Sequence, residues 1–100
     1  MALVQPPSTP RSRQTEATII TLTGEHDVAT LPADNELFAI AIASSHSDIV
    51  VDLSGVDFMS AATVDLIVGI RRLLAAQSRM LTLRSPSNRA KRILDLCGVA

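Results

Sequence analysis

Ser60 and Thr63 stand at a junction in the stretch Val51-Asp52-Leu53-Ser54-Gly55-Val56-Asp57-Phe58-Met59-Ser60-Ala61-Ala62-Thr63-Val64-Asp65. A β-branched run ends before it, and helical spacing begins at Ala61. A serine at such a place can cap the helix, because the first helical amides have no backbone partner. The same amides and the helix dipole also favour an anion or a phosphoryl group. Phosphorylation there adds about two negative charges, which in a partner-binding face would break the contact by repulsion and desolvation. Spacing alone leaves both roles open to Ser60.

Other reactive side chains offer less. Asp52 and Asp57 flank the Ser54-Gly55 turn and could serve as an acid–base pair or hold magnesium, but satisfying turn amides accounts for both. His26 and His46 fall in separate polar turns, with no cysteine or second histidine at a metal-ligand spacing. Cys97 is the single cysteine and continues an apolar helical stripe, which predicts an inert core thiol. Glycine-rich phosphate loops and a Gly-x-Ser-x-Gly elbow are absent. The residues do not point to an enzyme.

Composition narrows the partners. Aromatics make up 2% of the chain, which removes the stacking platforms of carbohydrate and single-stranded nucleic-acid binders. Nine basic and ten acidic residues leave a net charge of -1, too little for broad electrostatic DNA binding. No apolar run approaches the ~20 residues of a membrane span, and the N-terminus lacks a signal-peptide pattern. A cytoplasmic protein is the expectation.

The elements that must position the junction follow from pattern. Residues 1–16, with Pro6, Pro7 and Pro10, predict a mobile N-terminal tail or a weak edge strand. Thr18–Thr23 reads as a strand closed by Gly24, and Glu25-His26-Asp27 as an acidic surface turn. Thr30 is the expected cap of a helix with Pro32 in its first turn, Asp34 and Glu36 near its positive end, and Leu37, Ile40 and Ala41 on one face. Ile49–Leu53 is a buried strand that Ser54-Gly55 should end. A second helix is expected over about residues 61–77, with Leu66, Ile70, Leu73 and Leu74 as its stripe. Met80–Leu83 is a third strand. Ser87 caps a last helix, with Ala90, Ile93, Leu94 and Cys97 inward, which Gly98 stops. The alternation predicts one α/β domain over residues 17–100, a small, mostly parallel β-sheet flanked by α-helices. An exposed sheet edge beside the tail leaves room for a homodimer.

The order of elements and three sequence stretches together resemble the STAS domain of bacterial anti-sigma factor antagonists, over about Ala17 to Val99. The first stretch is Leu22-Thr23-Gly24-Glu25-His26-Asp27, similar to the family's Gly-Glu-Leu-Asp turn. The second is Val50-Val51-Asp52-Leu53-Ser54-Gly55-Val56-Asp57-Phe58-Met59, and the third is the final strand, the Ser85-Pro86-Ser87 turn and the helix ending Leu94-Asp95-Leu96-Cys97-Gly98-Val99. The resemblance implies a partner-switching regulator of transcription. Such a protein binds an anti-sigma factor, typically an ATP-dependent serine kinase, and frees a sigma factor. The nucleotide belongs to that partner. Phosphorylation of a serine at the start of the second helix breaks the contact.

The sequence departs from the family where it matters most. After Phe58-Met59 the family usually reads Asp-Ser-Ser/Ala-Gly, whereas Ser60-Ala61-Ala62-Thr63 stands here. Ala61 occupies the phosphoacceptor position and has no hydroxyl. Either the switch is lost and binding is constitutive, which is the favoured expectation, or Ser60 or Thr63 has taken over. His26, which replaces an apolar residue of the family turn, is expected at the surface. The implied partner surface comprises Asp27, Ser60, Ala61, Thr63 and Val64. The alternative reading is a STAS subunit that scaffolds a membrane complex such as a lipid transporter, since one fold serves both.

Overall fold

The computed structural model describes residues 2–5 and 17–99. In chain order the elements are β1 (Ala2–Gln5), β2 (Ala17–His26), a single 3-10 turn (Val28–Thr30), α1 (Leu31–Ser44), β3 (Asp48–Met59), α2 (Ala61–Ala76), β4 (Leu81–Arg84) and α3 (Asn88–Leu96). The four strands form one sheet in the order β1-β2-β3-β4. β2, β3 and β4 run parallel, and β1 joins antiparallel at the β2 edge. The expected alternation of strand and helix is therefore present from β2 onward. Of residues 1–16, expected to be a mobile tail or weak edge strand, Ala2–Gln5 form an edge strand. Residues 6–16 lie outside the described residues.

β-branched and leucine residues alternate along β2 and β3 because successive side chains point to opposite faces. Ile20 and Leu22 of β2 and Ile49, Val51 and Leu53 of β3 are fully buried. They form one core with Phe38 and Ala41 of α1, Val64, Ile67, Ile70 and Leu74 of α2, and Ala90 and Leu94 of α3. The opposite positions Ile19, Thr21, Val50 and Asp52 are only partly buried.

Several expectations require correction. Ser54-Gly55 does not end β3, which continues to Met59. Gly55 pairs with Thr23 across a register shift, and a Cβ there would lie 2.8 Å from Thr23 Cγ2. This glycine admits a neighbouring strand and does not reverse the chain. Gly24, with φ of +82°, likewise sits inside β2 and does not close it. In α1 the buried stripe is Asp34, Phe38 and Ala41, while Ile40 is exposed. In α2, Val64 joins the buried face with Ile67, expected beside the stripe, while Leu73 faces solvent. Met80 precedes β4 and is exposed. Cys97 is exposed because α3 stops at Leu96, one residue before the stripe would return it to the core. The Ser87 cap forms as expected, its Oγ accepting from Ala90 N–H at 3.2 Å, and Gly98 takes the left-handed φ of +76° that ends the helix.

The lower end of the sheet, where α1 ends and β3 begins, is closed by Arg79. Its buried guanidinium donates through Nε to Ser47 O (3.0 Å), through Nη2 to Ser45 O (2.8 Å) and Ser47 O (2.9 Å), and through Nη1 to Gln77 Oε1 (3.0 Å) and Ile42 O (3.4 Å). These acceptors include carbonyls at the α1 C-terminus, where a cation is favoured.

Candidate functional site

β3 delivers the chain to Ser60 at the upper end of the sheet, and α2 begins at Ala61. Ser60 has an extended backbone (φ -80°, ψ 162°), and its Oγ accepts from Thr63 N–H at 3.2 Å. Its own amide donates to His26 O at 2.9 Å, which ties the start of α2 to the end of β2. Thr63 Oγ1 donates to the same His26 carbonyl at 3.2 Å and lies 3.2 Å from Ser60 Oγ. Because the Thr63 proton goes to a carbonyl, the Ser60 hydroxyl is the donor of that pair. The result is a directed chain from Ser60 to Thr63 to the His26 carbonyl.

Burial separates the five residues of the expected surface. Ala61 is exposed, and Ser60 and Asp27 are partly so. Thr63 and Val64, expected in the same contact surface, are buried, at 1% and 0% exposure. Helical geometry is the reason: positions three and four after the cap turn back onto the sheet.

His26 also differs from expectation. It is not at the surface but buried at 2% exposure, the last inward residue of β2. Its Nδ1 lies 2.9 Å from Asp34 Oδ2, and Nε2 lies 3.0 Å from Thr23 O. A carbonyl only accepts, so Nε2 carries a proton. Nδ1 faces the Asp34 carboxyl as its buried partner. Thr30, the residue before α1, makes no side-chain cap to that helix. Its Oγ1 instead accepts from Asp27 N–H (3.0 Å) and directs its proton to Asp27 O (3.0 Å) and Asp34 Oδ2 (3.1 Å). Asp27 Oδ1 in turn accepts from Ala29 N–H (2.9 Å) and Thr30 N–H (3.3 Å). Asp27, Thr30, Asp34 and His26 thus form one network beneath the loop that borders Ser60. The sequence carries a trace of it. Asp34 shares the helical face of Phe38 and Ala41, and a carboxylate on an apolar stripe needs a buried partner.

Asp52 and Asp57 do not form a carboxylate pair. Asp52 Oδ1 accepts from Ser54 N–H at 2.9 Å and Oδ2 from Arg84 Nη2 at 3.0 Å. The hydrogen bonds from Ser54, chiefly its amide, and then that from Arg84 hold its pKa below the ordinary value. Asp57 is exposed and His46 lies at the opposite end, beside Arg79. Among the described residues no group of three or more His, Cys, Asp or Glu could hold a metal ion, and no helix is long and apolar enough to cross a membrane. What this arrangement offers chemically is a rigid, capped helix start with one small apolar side chain facing out.

Comparison with known proteins is consistent in one direction. The family model described as the STAS domain matches residues 8–100. A search of the curated proteins gives no match. Among solved structures, the fold is similar to an anti-sigma factor antagonist from Mycobacterium paratuberculosis, at 21% identity and a TM-score of 0.76, covering 98% of this chain and 77% of that one. It is also similar to the anti-sigma factor antagonist SpoIIAA in its unphosphorylated form, at 21% identity and a TM-score of 0.77, covering 98% and 81%. At such identities the likeness is one of fold.

Proposed function

The chain belongs to the STAS-domain family, and from that premise we propose that it is an anti-sigma factor antagonist. It acts by binding an anti-sigma factor of the serine-kinase type and so releases a sigma factor. Catalysis and a cofactor have no part in this reading. The observation that supports it is the exposed start of α2, with Ala61 facing out; the family resemblance makes Ala61 the counterpart of the phosphoacceptor. Asp27, Ser60 and Ala61 form the contact surface, with Thr63 and Val64 supporting it from beneath.

Ala61 cannot be phosphorylated, so binding through this surface is constitutive. Ser60 is a poor substitute acceptor, since its Oγ is committed to the Thr63 amide and hydroxyl. The two solved structures described as anti-sigma factor antagonists support the reading at the level of fold.

The test begins with affinity purification from the native host, taking the intact mass of the bait. An ATPase-fold kinase recovered with unmodified bait is the expected result, whereas transporter subunits without a kinase would overturn the proposal. Titration with that partner then places the surface. Ala61→Asp should weaken binding by about tenfold or more, as a charge at the centre of a contact does. The same charge at a helix N-terminus favours the fold, so the loss will not come from unfolding. Unchanged affinity would move the interface elsewhere.

A further inference from the structure

The outward turn of β3 beyond its glycine leaves Phe58 half exposed, and the early end of α3 leaves Leu96 at 76% exposure. With Ile93 they line a cleft of ≈ 340 Å³ between the end of β3 and α3. Arg89 and Arg92 stand along the α3 side of the cleft, and Asp57 on the β3 side. Among the described residues, neither guanidinium has a carboxylate partner. Lys91 adds a third exposed cation, so α3 holds three of the nine basic residues of a chain whose net charge is -1. Toward the start of α2 the sign reverses: Asp27 follows the His26 carbonyl that holds Ser60, and Asp65 lies one helical turn after Ala61.

We infer that the cleft between β3 and α3 is a docking site for an acidic segment of a protein partner, anchored by one apolar side chain. A leucine, isoleucine or phenylalanine of the partner seats against Phe58, Ile93 and Leu96, and carboxylates beside it meet Arg89 and Arg92. Charge complementarity selects this occupant. An apolar pocket bounded by unpaired arginines is the composition in which interface energy concentrates. Asp57 keeps the partner's carboxylates on the α3 side, and the acidic start of α2 sets the direction in which the segment lies. A membrane surface fits less well: the apolar side of α3, Ala90 and Leu94, is buried in the core and cannot enter a bilayer.

The inference extends the reading of the chain as a protein-binding module. Its test uses no anti-sigma factor, so the cleft and the Ala61 surface stand or fall separately. The full chain, labelled with nitrogen-15, is titrated with a synthetic amphipathic peptide of about 12 residues carrying leucines on one face and glutamates on the other. Expected are shifts centred on Phe58, Arg89, Arg92 and Leu96, weakening with added salt, and a loss of affinity of about tenfold or more in Arg89→Glu/Arg92→Glu. Both arginines are exposed, so that variant should fold, and Arg72→Glu on α2 should bind as the unaltered chain does. Equal binding of the peptide with lysines for glutamates, or shifts centred elsewhere, would overturn the site. So would an absence of peptide binding, including the case where phosphatidylglycerol vesicles capture the chain through the same arginines.

Discussion

The two ends of the sheet are tied by the same device built from different chemistry. At the lower end, Arg79 gathers the carbonyls of Ile42, Ser45 and Ser47, and among the described residues its charge meets no carboxylate. At the upper end, His26 and Asp34 face each other in the core, and the His26 carbonyl receives two donors from the start of α2. The lower tie is one side chain reaching out to loop carbonyls. The upper tie is a buried pair, an imidazole against a carboxyl. The lower end is a fixed clamp holding only its own loops. The upper end combines a buried polar network with an exposed contact surface, and the two meet at the His26 carbonyl and at Asp27, which belongs to both.

The largest effect should come from breaking the clamp. Arg79→Met leaves several loop carbonyls without their donor and should cost about 2–4 kcal/mol. Chemical denaturation checks it, and a loss no larger than that of a surface substitution would erase the contrast between the ends. Next is the upper pair. His26→Leu leaves the Asp34 carboxyl buried with only the Thr30 hydroxyl and should cost about 2 kcal/mol. His26→Leu with Asp34→Leu should recover part of that loss, because paired polar groups replaced together leave neither orphaned. A double-mutant cycle measures the coupling, and strict additivity would mean that the pair does not act as a unit.

Ser60→Ala removes one cap hydrogen bond and should cost about 1 kcal/mol in denaturant melts. The smallest effect belongs to Asp52, away from both ends. Its folded pKa lies below the unfolded value, so its contribution is present above the unfolded value and is lost as pH falls through the folded one. Its partner Arg84 is half exposed, so the contribution is a few tenths of a kcal/mol. Comparing the acid limb of stability for the parent and Asp52→Asn below about pH 4 measures it.

The caps at Ser60 and Ser87 were legible because a cap is a local event, fixed by a hydroxyl and an amide three residues away. The α/β order was legible for the same reason, from hydrophobic period. His26 was misplaced because its partner lies eight residues on, in another element, and a Glu-His-Asp run reads as surface when only its neighbours are seen. Gly55 was misread because its reason is Thr23, on the adjacent strand. Cys97 fell on the right stripe, but the helix ended first. Arg79 left no trace at all, since all its acceptors but the Gln77 side chain are backbone carbonyls, and any sequence supplies those.

The parallel pairing of β2 with β3 has a consequence for how this protein reaches its structure. Every partner in that pairing, from Ala17 with Asp48 to His26 with Met59, is separated by about thirty residues, and so is every partner in the β3–β4 pairing. No tight hairpin joins these three strands to seed the sheet. Each contact waits on the closure of a long loop whose entropy must be lost first. The chain should therefore fold slowly for its length and all at once, and the surface at the start of α2 will exist only after β2 and β3 have met.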